Sequence, residues 1–112
     1  VAANMIGVCE AIAYAEKAGL DPMQVLKSVG TGAAASWSLT HLAPRMINGD
    51  FEPGFYIKHF IKDMNIALAS AEDIGLETYG LRQAKELYEK LAAAGEENSG
   101  TQALYKLYMQ QK

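Results

Sequence analysis

The chain has 112 residues, of which 50% are hydrophobic and 21% are charged, and its formal net charge is −3. This length suits one domain with its own core, and the acidic balance excludes the basic surfaces that bind nucleic acid or anionic membranes. A single cysteine, no Cys/His cluster with metal-ligand spacing and no apolar run near the roughly 18 residues of a membrane span predict a cytoplasmic protein without disulfide or metal.

Helical periodicity begins at the first residue of the chain. Residues 1–18 are predicted to form a helix that ends at Gly19, a residue able to take positive φ. Because natural chains rarely start inside a helix without a cap, we expect Val1 to mark a boundary within a longer protein. The apolar positions recur at steps of three and four residues: Met5, Val8, Cys9, Ile12 and Ala13.

A second helix is predicted to start at Asp21-Pro22, with Asp21 as N-cap and Pro22 at the first helical position. Its inward-facing residues are expected to be Met23, Leu26 and Val29. The following Gly30-Thr31-Gly32 has no strand before it, so a helix stop is favoured over a phosphate-binding loop.

A short third helix is predicted over residues 38–43, with Ser36 or Ser38 as its cap, and Pro44 is expected to break or kink it. Residues 47–55, INGDFEPGF, carry strong turn signals and are predicted to be a loop. Trp37 is expected to pack rather than to stack on a ligand, and His41 is expected at a surface or interface.

Three further helices are predicted after this loop. Residues 57–74 form the longest, and Thr78 is expected to cap the next one, over residues 79–94. Ser99 with Gln102 resembles a capping box for a short last helix. No segment shows strand-like alternation, so the predicted fold class is all-α with five to six helices. The apolar stripe of the longest helix is Ile57, Phe60, Ile61, Met64, Leu68 and Ala71.

The residues by themselves offer one candidate site, on the segment KHFIKDMN. Lys58 and Lys62 lie four apart on one helix face, where like charges cost about 0.2–0.5 kcal/mol of helix stability. Such a pair suits an anion, and Asp63 can pair with His59 one turn before it. The alternative is a solvated charged face, the usual place for such residues. No nucleophile–base arrangement is apparent.

Three stretches in order add a resemblance: NMIGVCEAIAYAEKAGLDP, SWSLTHLAPRMINGDFEPGF and IKDMNIALASAEDIGL. Together they resemble the C-terminal domain of the 3-hydroxyisobutyrate dehydrogenase family. That family includes tartronate semialdehyde reductases and is related to 6-phosphogluconate dehydrogenase. The resemblance spans essentially the whole chain, and it implies a helical fold like the C-terminal domain of 6-phosphogluconate dehydrogenase.

The resemblance implies that residues 1–112 are the all-helical C-terminal domain of a longer enzyme. An N-terminal Rossmann domain, absent from this chain, would bind most of the NAD or NADP. The family's catalytic lysine would lie upstream of Val1, and Asn4 does not match the family's catalytic asparagine. Lys62-Asp63 matches the family's Lys-Asp pair, so both residues are expected at the cofactor, and Phe55 and Lys62 are expected at the substrate.

The end of the chain departs from the family pattern. An Asp-x-Ser or Asp-Ser stretch is usual before the last helix, but this chain has Gly100 and Thr101 there. Thr101 keeps a hydroxyl, whereas the acidic side chain and any contact it makes are missing.

The implied function is that of an NAD(P)-dependent oxidoreductase that interconverts a small β-hydroxyacid and its semialdehyde. This domain would supply one wall of the cleft and the contacts of a dimer or larger homo-oligomer, and it would be inactive alone. One alternative is a non-enzymatic helical module that binds a partner helix. Another is the family fold without dehydrogenase activity. A GxGxxG unit and a lysine encoded upstream of Val1 would distinguish them.

Overall fold

A computed structural model describes residues 1–110 of the chain. Within these residues the backbone forms seven α-helices and no β-strand, apart from an isolated bridge between Tyr56 and Gly100, so the predicted all-α class is confirmed. None of these helices is both long and apolar enough to cross a bilayer. They are α1 (Ala2–Lys17), α2 (Pro22–Val29), α3 (Trp37–His41), α4 (Ala43–Ile47), α5 (Ile57–Asp73), α6 (Tyr79–Leu91) and α7 (Tyr105–Met109).

The number of helices exceeds the predicted five to six because one proline acts differently from the expectation. Pro44 lies in the first turn of α4, where its missing N–H would have no partner in any case, and so it begins a helix. After α6 the chain continues through a π-helical turn, Ala92–Glu96, in which Gly95 has φ +96°. A 3-10 turn, Thr101–Leu104, leads directly into α7.

Helix α1 is the centre of the fold. It packs against α2, α3, α4, α6 and α7, and Gly19 follows it with φ +78°, as predicted for its end. Removing its apolar face from water is favourable by about 25 cal/mol per Å² of apolar surface, which makes this face the main anchor for the other helices. The buried residues of α1 are Ala2, Met5, Val8, Cys9, Ile12 and Ala15.

Two of the predicted helix caps are confirmed. The Asp21 carboxylate accepts a hydrogen bond from the backbone N–H of Met23 at 3.0 Å, and Pro22 follows as the first residue of α2. The Ser36 hydroxyl accepts one from the N–H of Leu39 at 3.0 Å, which settles the choice between Ser36 and Ser38. These short bonds satisfy N–H groups that have no partner inside the helix.

Other local predictions are wrong. In α2 only Leu26 is buried, whereas Met23 and Val29 are exposed, because a two-turn helix contacts the core along a single line. The Thr78 side chain makes no cap bond to α6. Ser99 and Gln102 do not form a capping box: the Ser99 hydroxyl bonds to Glu96, and the Gln102 side chain reaches a distant loop.

Candidate functional site

The candidate site lies on the solvent-exposed side of α5. The helix buries Ile57, Met64 and Ala71 against the rest of the fold, in agreement with the predicted apolar stripe. Phe60, Ile61 and Leu68 from the same stripe are half-buried. Because residues three and four apart share a helix face, the opposite side of α5 carries an exposed row. That row consists of Lys58, His59, Lys62, Asp63 and Ile66.

Lys62 and Asp63 are exposed side by side on this helix. In the part of the chain that the structure describes, neither side chain makes a hydrogen bond or an ion pair. The predicted pair between His59 and Asp63 is therefore not formed. Because neither charged side chain has a partner in residues 1–110, both are available to a ligand.

Phe55 lies just before α5, and its side chain is 44% exposed. Its ring centroid is 5.9 Å from that of Phe60 in an edge-to-face contact and 6.5 Å from that of His59. His59 is one helical turn before Lys62 on the same face of α5. The structure therefore brings Phe55 to the exposed row that carries Lys62.

The two lysines of the predicted anion site have different surroundings. The ammonium group of Lys58 lies 5.3 Å from the centre of the Tyr56 ring, within the range of a cation–π contact. Lys62 has no such contact in residues 1–110. The structure therefore leaves Lys62 as the lysine of this pair that a ligand can engage without displacing a protein contact.

Two residues that bond to the loop before α5, Arg45 and Gln102, were not selected as site residues from the sequence. Arg45 donates from Nε to the Asp50 carboxylate at 3.0 Å and from Nη2 to the carbonyl oxygen of Glu52 at 2.6 Å. Gln102 also bonds to this loop. The pairing of Arg45 with Asp50 holds the pKa of that carboxyl below its usual range. An arginine five residues before an aspartate was the only sequence signal, and it is common on surfaces.

The site is an open face and not a closed pocket. A groove of about 530 Å³ lies at the other end of α5, where that helix turns into α6, and it contains none of the predicted site residues. An enclosed ligand site on the α5 face would need a second wall from outside the described residues. The groove is lined by Leu68, Glu72, Leu76, Arg82 and Glu86.

The remaining candidates have local explanations. Trp37 is exposed and stacks on His41, with ring centroids 4.5 Å apart, so Trp37 does not pack into the core as predicted. Cys9 is buried, and burial, followed by the nearby Glu10 charge, raises the pKa of its thiol to about 12. The thiol is therefore protonated and unreactive near neutral pH. Residues 1–110 contain no group of three or more His, Cys, Asp or Glu side chains able to hold a metal.

The chain is similar to known proteins both in sequence and in fold. Residues 1–108 match a family model described as "NAD-binding of NADP-dependent 3-hydroxyisobutyrate dehydrogenase". The chain is 68% identical over 109 residues to the uncharacterized oxidoreductase YkwC of Bacillus subtilis, covering 97% of this chain and 38% of that protein. It is 40% identical over 95 residues to 2-hydroxy-3-oxopropionate reductase of Escherichia coli, covering 85% of this chain and 32% of that protein.

Two solved structures share the fold. A 3-hydroxyisobutyrate dehydrogenase from Salmonella typhimurium superposes with a TM-score of 0.88 at 21% identity, over 95% of this chain and 37% of the other. The enzyme of the same name from Mycobacterium tuberculosis, solved with L-serine, superposes with a TM-score of 0.85 at 24% identity, over 95% of this chain and 38% of the other. The chain thus spans about a third of the length of each of these relatives, between 32% and 38%. The family model's description concerns cofactor binding, whereas the sequence analysis assigned most cofactor contacts to another domain.

Proposed function

The chain belongs to the 3-hydroxyisobutyrate dehydrogenase family, and on that premise we propose that it is part of an NAD(P)-dependent oxidoreductase. The intact protein interconverts a small β-hydroxyacid and its semialdehyde. Support for an enzyme comes from the dehydrogenase and reductase names of the relatives. In this proposal the α5 face is one wall of the active-site cleft.

The observation that carries the proposal is the state of Lys62 and Asp63. Both are exposed on α5, without side-chain partners in residues 1–110, and the Phe55 ring lies 6.5 Å from the ring of His59, which is one turn before Lys62. A surface lysine and aspartate are unremarkable singly. Together with an aromatic ring on an open face, they offer the cation, the hydrogen-bond acceptor and the apolar wall that a small anionic substrate requires.

The chemistry of these side chains also fits a nicotinamide dinucleotide. Lys62 would hold a negative group of the cofactor or the carboxylate of the substrate, and Asp63 would accept hydrogen bonds from polar groups beside it. When bound, NAD(P) supplies the hydride acceptor or donor. The described residues contain no strand followed by a glycine-rich loop and a helix, so we assign the pyrophosphate contacts to the rest of the parent protein.

The residues of this chain bind and orient rather than move the proton. Phe55 would form an apolar wall against which the substrate binds, and Lys62 would keep a fixed cation where negative charge must be held. The general acid–base lysine would come from the segment preceding Val1. We further propose that residues 1–112 are the C-terminal domain, facing an N-terminal Rossmann domain across the cleft.

The test is a Lys62→Ala substitution in the intact parent protein, assayed with NAD and NADP on small β-hydroxyacids. We expect kcat/KM to fall by about 100-fold, as for the loss of one fixed charge at the reacting groups. The melting temperature is expected to stay unchanged, because an exposed residue without partners contributes within about 0.5 kcal/mol to stability.

Lys27→Ala is the matched control, since it removes one exposed lysine charge from α2, away from the face. It is expected to leave the kinetics unchanged. Equal kinetics for Lys62→Ala and the unsubstituted protein would refute the site. A parent protein without a dinucleotide-binding unit, or turnover by the 112-residue chain alone, would refute the division of roles between the two domains.

A further inference from the structure

The loop that carries Phe55 is held by a segment far along the chain, residues 97–102, which we call the brace. The side-chain Nε2 of Gln102 donates hydrogen bonds to the backbone carbonyl oxygens of Asp50 at 3.1 Å and Glu52 at 2.9 Å. Gln102 is only 1% exposed. A buried amide that donates both of its N–H groups to one loop fixes the position of that loop.

The backbone of the brace also forms two hydrogen bonds with the same loop. The N–H of Gly100 donates to the carbonyl oxygen of Phe51 at 2.8 Å, and the N–H of Thr101 donates to that of Phe55 at 3.2 Å. The contact is close: a Cβ atom on Gly100 would lie 2.8 Å from the carbonyl oxygen of Glu52, which no side chain tolerates. Glycine, in place of the family's usual acidic residue, permits this approach.

The brace also caps the N-terminus of α5. The N–H groups of Ile57 and Lys58 donate to the carbonyl oxygens of Ser99 and Glu97, each at 3.0 Å. These are among the first four N–H groups of the helix, which have no partner inside it. One segment therefore sets both the start of α5 and the path of the chain that precedes it.

We propose that Gln102 is a positioning residue of the active site, acting through Phe55. Its amide holds residues 50–52, the brace backbone holds Phe55 itself, and together they keep the ring against the face that carries Lys62. Gln102 does not touch the substrate. The inference rests on the proposed function, because it assigns Phe55 to the substrate side of the cleft.

The test is Gln102→Met in the intact parent protein, which keeps the length of the side chain and removes both donors. We expect KM for the hydroxyacid to rise about tenfold with kcat nearly unchanged, since a displaced ring weakens binding equally in the ground and transition states. Arg45→Met removes the support of Glu52 from the exposed side of the loop. It is also expected to raise KM, and it provides the test if Gln102→Met does not fold.

A double-substitution cycle separates positioning from general destabilisation. If Gln102 acts through Phe55, Gln102→Met added to Phe55→Ala should raise KM no further, whereas independent effects would multiply. Ile12→Val removes one methyl group from the buried face of α1 and lowers stability, while it leaves the hydrogen bonds of Gln102 to the loop in place. When this variant and the unsubstituted protein are each assayed the same number of degrees below their own melting temperatures, their KM values are expected to be equal.

The outcomes distinguish this inference from the proposed function. A raised KM for Phe55→Ala with a normal KM for Gln102→Met and Arg45→Met overturns the positioning role alone. Multiplying effects in the cycle, or a raised KM for Ile12→Val, overturn it as well. A normal KM for Phe55→Ala overturns the substrate role of Phe55 and, with it, both proposals for this loop.

Discussion

Glu96 illustrates how single residues stabilise the end of the fold. Its Oε1 accepts hydrogen bonds from the Ser99 hydroxyl at 2.6 Å and from the ammonium group of Lys106 at 2.9 Å. Lys106 also lies 4.8 Å from the centre of the Phe51 ring. These bonds, that from Ser99 first, hold the pKa of the Glu96 carboxyl below its ordinary value. The charged form of Glu96 therefore favours the folded state.

The first prediction concerns pH. Because the pKa of Glu96 is lower in the folded chain, its contribution is present above the ordinary glutamate range and is lost as the pH falls through the lowered folded-state pKa. The pair is partly exposed, so the contribution is less than about 1 kcal/mol. Glu96→Gln is expected to lower the melting temperature at pH 7 and to leave it nearly unchanged at pH 3.

Glu89→Gln is the control, because its carboxylate lies 3.6 Å from Lys85 on the exposed face of α6, with no hydroxyl partner. It is expected to change the melting temperature less than Glu96→Gln at pH 7. Equal losses for Glu96→Gln at pH 7 and pH 3 would contradict the assigned role of the charge.

The residues of the candidate site were selected from the sequence with different success. The family resemblance selected Phe55, Lys62 and Asp63, and these assignments remain predictions. Arg45 and Gln102 were not selected, because arginine and glutamine have no spacing pattern that signals a role in holding a loop.

At the scale of elements, α2 depends strongly on its N-cap residue, Asp21. It has only eight residues and buries one large side chain, Leu26, so packing supports it weakly. Isolated helices of this length are unstable in water. The hydrogen bond from the Met23 N–H to the Asp21 carboxylate is therefore a main contribution to where α2 begins.

The second prediction is that Asp21→Ala destabilises the chain by about 1 kcal/mol, the usual cost of losing an N-cap. Asp21→Asn is the matched control, because its amide oxygen accepts the same bond and its stability should stay near that of the unsubstituted chain. Urea unfolding followed by circular dichroism measures both. An equal loss for the two variants would show that charge, not the cap, matters.

At the scale of the whole molecule, large apolar side chains remain in solvent. Tyr14 is 73% exposed, Ile74 is 75% exposed and Tyr79 is 74% exposed. Ile74 lies in the turn between α5 and α6, and Tyr79 is the first residue of α6, at the end of α5 away from the candidate site. Apolar residues grouped at one end of a protein favour association with another surface.

The third prediction is that the 112-residue chain associates, with a dimer as the main species. Light scattering coupled to size-exclusion chromatography measures the mass. Replacing both Ile74 and Tyr79 with lysine in one variant is expected to shift the chain toward monomer. A clean monomer before substitution would contradict the prediction, and an unchanged dimer afterwards would place the contact elsewhere.

The sequence by itself determined the helical class, most helix ends and the family. Asp21, Ser36 and Gly19 act within one or two turns of their own position, so their effects are visible in a short window of sequence. The ordered family motifs selected the α5 face for the same reason: each motif is a continuous stretch.

The tertiary structure decided what holds that face. Gln102 bonds to Asp50 and Glu52, which precede it by 52 and 50 positions. Glycine is needed at position 100 because the Gln102 side chain and the carbonyl oxygen of Glu52 both approach it closely. Local rules assigned Gln102 to a cap, since they consider only neighbours along the chain. The partner of a buried amide is chosen by which segments meet when the helices pack, and that choice exists only in the folded chain.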